Sequence, residues 1–218
     1  MKKRDRFDSI QIVAAIGLIV SVASLFFLTN TIHPIIVKEY FFSEQELSSP
    51  SSTVEVLIRD VLQNYHIIVR YPENAWFGER FLVSMALVPD DGESMLSASE
   101  EEQALFVEGR LEMDDGKLLP GKTLLTPFRF NQTTKFQWQV QPDSRSLQTG
   151  RLWVTFYPAG EETTQSLYAP LMVIPFSVDI HAFFGLKAGV GRLVNILIGL
   201  VCIVIILWRR HNQAGNKG

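Results

Sequence analysis

Two long apolar runs, one near each end of the chain, constrain this sequence more than any other feature. Residues 10–28 contain no charged side chain, and twelve of these nineteen positions are Ile, Leu, Val or Phe. As a helix such a run is about 28 Å long, close to the thickness of a hydrocarbon core, and its insertion is favourable by roughly 4 to 7 kcal/mol. Residues 190–208 are equally apolar apart from Arg192 and Asn195 near the leading end. Between the runs lies a stretch of ordinary globular composition that is too long for a connecting loop. The expected plan is helix, folded domain, helix. A cytoplasmic tail (1–9) leads into a transmembrane helix (10–28), a linker (29–53) and an extracytoplasmic domain (54–182). A juxtamembrane segment (183–189), a second transmembrane helix (190–208) and a cytoplasmic tail (209–218) follow.

Charge sets the expected orientation. Lys2, Lys3, Arg4 and Arg6 precede the first helix, and Arg209, Arg210 and Lys217 follow the second. Basic flanks of this kind mark the cytoplasmic side, so both termini are read as inside, in a plasma membrane of bacterial type. Residues 30–187 carry 12 Lys plus Arg against 21 Asp plus Glu, a net charge of −9. An acidic outer domain disfavours nucleic acid as a ligand and adhesion to anionic lipid. A cleaved signal peptide is the competing account of the N-terminus, because Ser21-Val22-Ala23 has small residues at the required spacing. Cleavage there would leave Ser24-Leu25-Phe26-Phe27-Leu28 as an apolar stub, which favours a retained helix. The single cysteine, Cys202, lies inside the second run, so the domain cannot contain an internal disulfide.

Between the helices the hydrophobic period is two. In Lys135-Phe136-Gln137-Trp138-Gln139-Val140-Gln141 apolar and polar residues alternate strictly, as in a strand with one buried face. Looser runs occur at residues 65–71, 80–88, 104–113, 123–130, 151–157 and 167–180, the last interrupted by Pro170 and Pro175. Asp91-Gly92, Asp115-Gly116 and Pro120-Gly121 supply turn chemistry, and Pro89, Pro142 and Pro158 close strands. Seven to eight strands without helical periods between them predict an all-β, antiparallel sandwich flanked by the two helices. Residues 40–53, rich in Ser and Glu, read as a linker. Residues 97–103, with three consecutive glutamates, read as an exposed loop or short helical turn.

The succession Phe136-Gln137-Trp138-Gln139-Val140-Gln141-Pro142, then Gly150-Arg151-Leu152-Trp153-Val154, resembles the late strands of Ig-like β-sandwich domains on the outer face of bacterial membranes. The resemblance implies an Ig-like sandwich ahead of a C-terminal helix. It covers about 20 residues and brings no common activity with it.

Chemistry is sparse. His33, His66, His181 and His211 are scattered, with no i, i+4 pair to hold a metal. There is no nucleophile elbow and no dinucleotide fingerprint. Gly121-Lys122-Thr123 matches the end of a phosphate loop, with Gly116 in place upstream, but Pro120 and the strand-turn context read as a turn. Asp90, Asp91 and Glu93, with Asp114 and Asp115, form acidic turns without the spacing of a calcium loop. Asn131-Gln132-Thr133 is a glycosylation sequon at a strand end. No cofactor, metal or catalytic residue is expected.

Four residues in the helices and three aromatics at their ends are the candidate sites. Measured from the outer surface at about 1.5 Å per residue, Ser24 is level with Asn195 and Ser21 with Gly199, so these positions are expected to pack an intramolecular helix pair. Phe183 and Phe184 outside the second helix, and Trp208 at its inner end, are expected to anchor in the headgroup regions. Trp76-Phe77 reads as a core plug rather than an exposed tip. The expected function is a non-catalytic, membrane-anchored module, a scaffold or accessory subunit presenting its sandwich to another membrane or envelope protein or an envelope component. The alternative is a sensor acting through a membrane partner, since its own tails are too short for a signalling domain.

Overall fold

A computed structural model describes residues 2–30, 33–42, 63–90, 105–158 and 171–215. The chain forms two compact units, one built from residues 1–32 and 182–218 and the other from residues 33–181. The expectations for Asp91-Gly92, Glu93, residues 43–53, residues 97–103 and residues 167–170 lie outside the described residues.

The first unit is a helix pair. Helix α1 spans Lys2–Asn30 and α2 spans Ala188–Gly215. Their apolar parts, Ser9–Thr29 and Ala188–Arg209, are long and apolar enough to cross a membrane. Both helices continue past the expected limits into the basic flanks, so residues expected in the two tails extend the helices instead. Ala188 and Gly189, expected in the juxtamembrane segment, already belong to α2.

The second unit is a β-sandwich. Its strands are β1 (Ile35–Phe41), β2 (Tyr65–Pro72), β3 (Asn74–Trp76), β4 (Phe81–Pro89), β5 (Leu105–Met113), β6 (Lys117–Leu119), β7 (Thr123–Phe128), β8 (Thr134–Gln141), β9 (Gln148–Pro158) and β10 (Met172–His181). They form one sheet in the order β1-β2-β4-β8-β6 and another in the order β3-β10-β9-β5-β7. Alternation decides which residues meet between the sheets. On β8, Phe136, Trp138 and Val140 are buried while Lys135, Gln137 and Gln139 are exposed. On β2, Tyr65, Ile67, Val69 and Tyr71 point inward. Tyr71 meets Phe176 of the facing sheet at 5.1 Å between ring centroids, and Tyr65 meets Phe128 at 5.3 Å. Each such side chain removed from water contributes about 1.5 to 3 kcal/mol, so a core of this composition needs neither disulfide nor metal.

Three expectations are corrected. The described residues contain ten strands rather than seven or eight, because β3 and β6 have three residues each and are too short to carry a period. Residues 35–41, placed in the linker, form β1, which pairs along its whole length with β2. As an edge strand β1 lacks a fully buried face, and Lys38-Glu39 interrupts its apolar run, which hides it from a search for alternation. The sandwich is also not wholly antiparallel, since β3 runs parallel to β10 through Asn74, Ala75 and Trp76. The chain crosses to the other sheet for β3 between β2 and β4, and a strand inserted that way meets β10 in the same direction.

Turns follow the expected chemistry where they are described. Gly116 has φ +118° and donates its N–H to the Asp115 side chain. A Cβ there would also lie 2.9 Å from the Gln141 carbonyl oxygen, so both conformation and space require glycine. Pro89 and Pro158 end their strands, and Pro142 follows β8 directly.

Candidate functional site

The helix pair brings three of its four candidate residues into one seam. Ser21 Oγ donates to the Asn195 carbonyl oxygen at 2.5 Å, and both residues are buried. A Cβ on Gly199 would sit 3.2 Å from Ser21 Oγ, so glycine there admits the hydroxyl. The Asn195 side-chain amide does not reach across the pair; it donates to the Gly191 carbonyl oxygen of its own helix at 3.1 Å. Ser24 is half-buried, and no described hydrogen bond engages its hydroxyl. Further along, Gly17 faces Cys202, with Sγ 3.0 Å from the position of a Cβ, and Gly191 faces Leu28 and Phe183. Small residues therefore recur along an antiparallel contact, which lets the two backbones approach closely.

Arg192 and Thr29, neither singled out as a site from sequence, close the end of α1. Arg192 Nη2 donates to the Leu28 carbonyl oxygen at 2.8 Å, and Thr29 Oγ1 donates to the carbonyl oxygens of Leu25 and Phe26 at 2.9 and 3.2 Å. The last carbonyls of a helix have no partner of their own and carry its negative end, so a guanidinium there satisfies both needs. The sequence signal was the charge at position 192 itself, which has no place in an apolar span without a partner.

Phe183 and Phe184 form a tight turn before α2. Leu186 donates its N–H to the Phe183 carbonyl oxygen at 2.9 Å, and the two central residues have positive φ, 48° at Phe184 and 73° at Gly185. Positive φ at both central positions is the mark of a type I′ turn, which a bulky side chain rarely occupies. The Phe184 ring is 86% exposed and meets Phe183 edge-on at 4.7 Å. Trp208 is exposed near the other end of α2.

In the sandwich, Trp76 and Phe77 are buried, as the core reading expected, and the Arg145 guanidinium lies 5.3 Å from the Phe77 ring centre. The scattered polar residues are used structurally. His66 Nδ1 is 2.5 Å from Asp90 Oδ1 beneath the Phe41 ring. Asp114 accepts from the Thr149 hydroxyl, while its N–H donates to the Thr149 carbonyl oxygen. Lys122 occupies a strand-to-strand connection in which its carbonyl oxygen accepts from Leu111, a context unlike a phosphate loop. Asn131 has φ 57° and donates its N–H to the Tyr65 hydroxyl at 2.7 Å. Among the described residues no group of three His, Cys, Asp or Glu side chains is placed to hold a metal ion.

A concavity of about 730 Å³ beside β1 is lined by residues of both sheets, among them Tyr71, Gly150 and Phe176. Three cations are among the residues at its rim: Lys38 on β1, Lys122 before β7, and Arg151, which lies on the outer face of β9 opposite Glu112. Lys38 stands opposite Val69 in the β1–β2 ladder, on the side of the strand that faces the sandwich interior. Its ammonium is held protonated above the ordinary value of 10.5, chiefly by the hydrogen bond with Tyr71. Two carboxylates also line the cleft and are already engaged. Glu112 accepts from Arg110 and from Trp153 Nε1, and Asp114 accepts from Thr149. Sequence reading missed this concavity because its lining residues are far apart in the chain, with 113 positions between Lys38 and Arg151. Burial raises the phenols of Tyr65 and Tyr157 above 10.0, with Glu108 adding to the effect at Tyr157.

No protein-family model and no curated protein matches the chain. Among solved structures it is similar to the complex of zinc 2-glycoprotein and prolactin inducible protein from human seminal plasma. There the identity is 10%, 53% of this chain and 93% of that chain are covered, and the TM-score is 0.36. It is also similar to a cohesin module from a Clostridium perfringens family 33 glycoside hydrolase, at 10% identity, 55% and 98% coverage and a TM-score of 0.35. A C. elegans MSP family member follows at 8% identity, 52% and 97% coverage and a TM-score of 0.32. With TM-scores below 0.5, the reading of this chain rests on its own geometry.

Proposed function

We propose that this chain is a membrane-anchored, non-catalytic binding module, with both termini in the cytoplasm and an Ig-like sandwich presented outside a plasma membrane of bacterial type to a protein or envelope component. The observation that carries the proposal is the burial of the two apolar helices. They touch each other along a narrow seam, and only 17% of the most apolar window of α1 and 22% of that of α2 is buried. A core helix of a water-soluble domain would be covered on most sides, so the remaining surface calls for lipid. The hydrogen bond from Ser21 to Asn195 supports a retained first helix over a cleaved signal peptide, because cleavage after Ala23 would remove Ser21 and Gly17 from the seam. Phe184, held outward by a strained backbone, and Trp208 fit anchoring at the two headgroup regions.

Compartment-specific reporters fused after Gly218 and inserted within residues 97–103 test the topology. The expected result is activity in opposite compartments, and activity in the same compartment overturns it. Capture of a membrane or envelope protein with the full chain in mild detergent, lost when residues 33–181 are deleted, is the expected sign of an accessory role.

A further inference from the structure

We infer that the free edge of β1 takes an extended segment of another protein as an added antiparallel strand, one that sets an acidic side chain opposite Lys38. The inference rests on the reading of the sandwich as a binding module and gives that module a class of partner. Four strands end the two sheets, β1 and β6 in one and β3 and β7 in the other. Three of these edges are blunted among the described residues: β3 and β6 have three residues each, and β7 carries Pro127, which has no N–H to donate. β1 has seven residues, no proline and an unbroken register with β2. An open row of backbone donors and acceptors of that length is a template for one more strand. Ile35, Val37 and Phe41 on its outer face are each more than half exposed, apolar area that such a strand would cover.

The side chains of β1 select the segment. Ile36, Lys38 and Tyr40 stand opposite the inward residues Tyr71, Val69 and Ile67, so they share the face that looks into the sandwich. Directly opposed residues of an antiparallel pair share a face, so a partner residue opposite Lys38 points the same way, toward the concavity lined by Tyr71 and Phe176. An inward charge on an edge strand repels most strands and admits one that supplies a carboxylate. Glu39, on the outer face, calls for a base at the adjacent position, so the matching segment is neutral overall. Neutrality also suits residues 30–187, whose net charge of −9 repels acidic segments. A second copy of this chain does not fit. Twofold pairing centred on Lys38 sets ammonium against ammonium, and pairing centred on Glu39 sets carboxylate against carboxylate. Centring on Val37 puts Lys38 against Ile36 and Glu39 against Ile35, and it shortens the ladder.

The test uses the full chain in non-ionic detergent and a fluorescein-labelled peptide, Thr-Val-Lys-Glu-Val-Ile-Thr, whose Glu meets Lys38 and whose Lys meets Glu39 in antiparallel register. Saturable binding by fluorescence anisotropy is expected. Exchanging the peptide's Lys and Glu should weaken it about fivefold or more, because two opposite-charge pairs become two like-charge pairs. Lys38→Glu combined with Glu39→Lys should reverse the preference between the two peptides. N-methylation of one alternating set of peptide residues should abolish binding, and methylation of the other set should leave it within about threefold, since only alternate N–H groups face the neighbouring strand. No saturable binding, equal affinity for the two peptides, or equal effects of the two methylated sets overturns the inference. Should the doubly substituted chain not fold, the exchanged and methylated peptides on the wild-type chain still decide. A wild-type dimer in sedimentation equilibrium that the peptide dissociates identifies a second copy as the occupant of β1 and also overturns the inference. If the peptide fails while capture of a membrane or envelope protein still depends on residues 33–181, the binding module stands and its site is elsewhere.

Discussion

Trp138, Phe156 and Met85 fill the space between the two sheets, whereas the seam between the helices is lined by Gly17, Ser21 and Gly199. The sandwich is closed by bulk and the helix pair by its absence. Under the membrane-anchored reading proposed above, the surroundings explain the contrast. In water, burying large apolar side chains is the main source of stability, and a Trp removed from solvent contributes more than any small residue. In lipid, apolar side chains gain nothing by leaving their surroundings, so proximity and a few hydrogen bonds decide the contact. On that reading, identical apolar residues hold one unit together and merely face lipid in the other.

The largest effect expected from this contrast is at Trp138, which is fully buried. Trp138→Ala should destabilise the sandwich by about 3 to 5 kcal/mol in denaturant unfolding followed by β-sheet circular dichroism. A loss below about 1 kcal/mol would show that bulk is not what closes the sheets.

Adding one carbon should also be costly there. A Cβ on Gly109 would lie 2.7 Å from Phe136 Cγ, at the root of the ring, where no flexible end can swing aside. Gly109→Ala is expected to cost about 1 to 3 kcal/mol by the same measurement.

The helix pair should respond less. Ser21→Ala removes the hydroxyl bonded to Asn195 and is expected to weaken the pair by about 0.6 kcal/mol, and by no more than about 1.7. Crosslinking of cysteines at 24 and 195, with Cys202 replaced, reads the change; loss of all intramolecular product on Ser21→Ala would place the seam's strength in that one bond.

The smallest difference appears only in alkali. The Tyr65 and Tyr157 phenols, and the Lys38 ammonium, titrate higher in the fold than in the unfolded chain. Their contribution is complete below the unfolded values and lost as pH rises through the folded ones, so the sandwich should begin to lose stability above about pH 10. Tyr65→Phe should flatten part of that decline.

What could be read from sequence depended on how different the two sides of an element are. β8 separates a buried face from a wet one, so its alternation is visible at Phe136, Trp138 and Val140. β1 has both faces partly exposed, and its Ile35, Val37 and Phe41 look like the tail of the preceding apolar run. The depth match of Ser21 with Gly199 was legible because helix geometry is regular, but the partner of the Asn195 amide was not, since a local carbonyl was available at Gly191. The concavity beside β1 left no trace because its lining residues, from Lys38 to Phe176, share no element and come together only through strand order.

The parallel pair of β3 with β10 also imposes a schedule on synthesis. β3 ends at Trp76, yet its partner residues are Asp179 to His181, about a hundred positions later. At roughly 5 to 20 residues per second, a ribosome needs on the order of 5 to 20 seconds to cover that interval. β2 and β4 can pair at once, while β3 waits with its backbone groups open and β9 waits for one neighbour. The sheet is completed only as the second apolar helix begins to emerge. The last strand to leave the ribosome tunnel before that helix, β10, is the one that shuts the sheet.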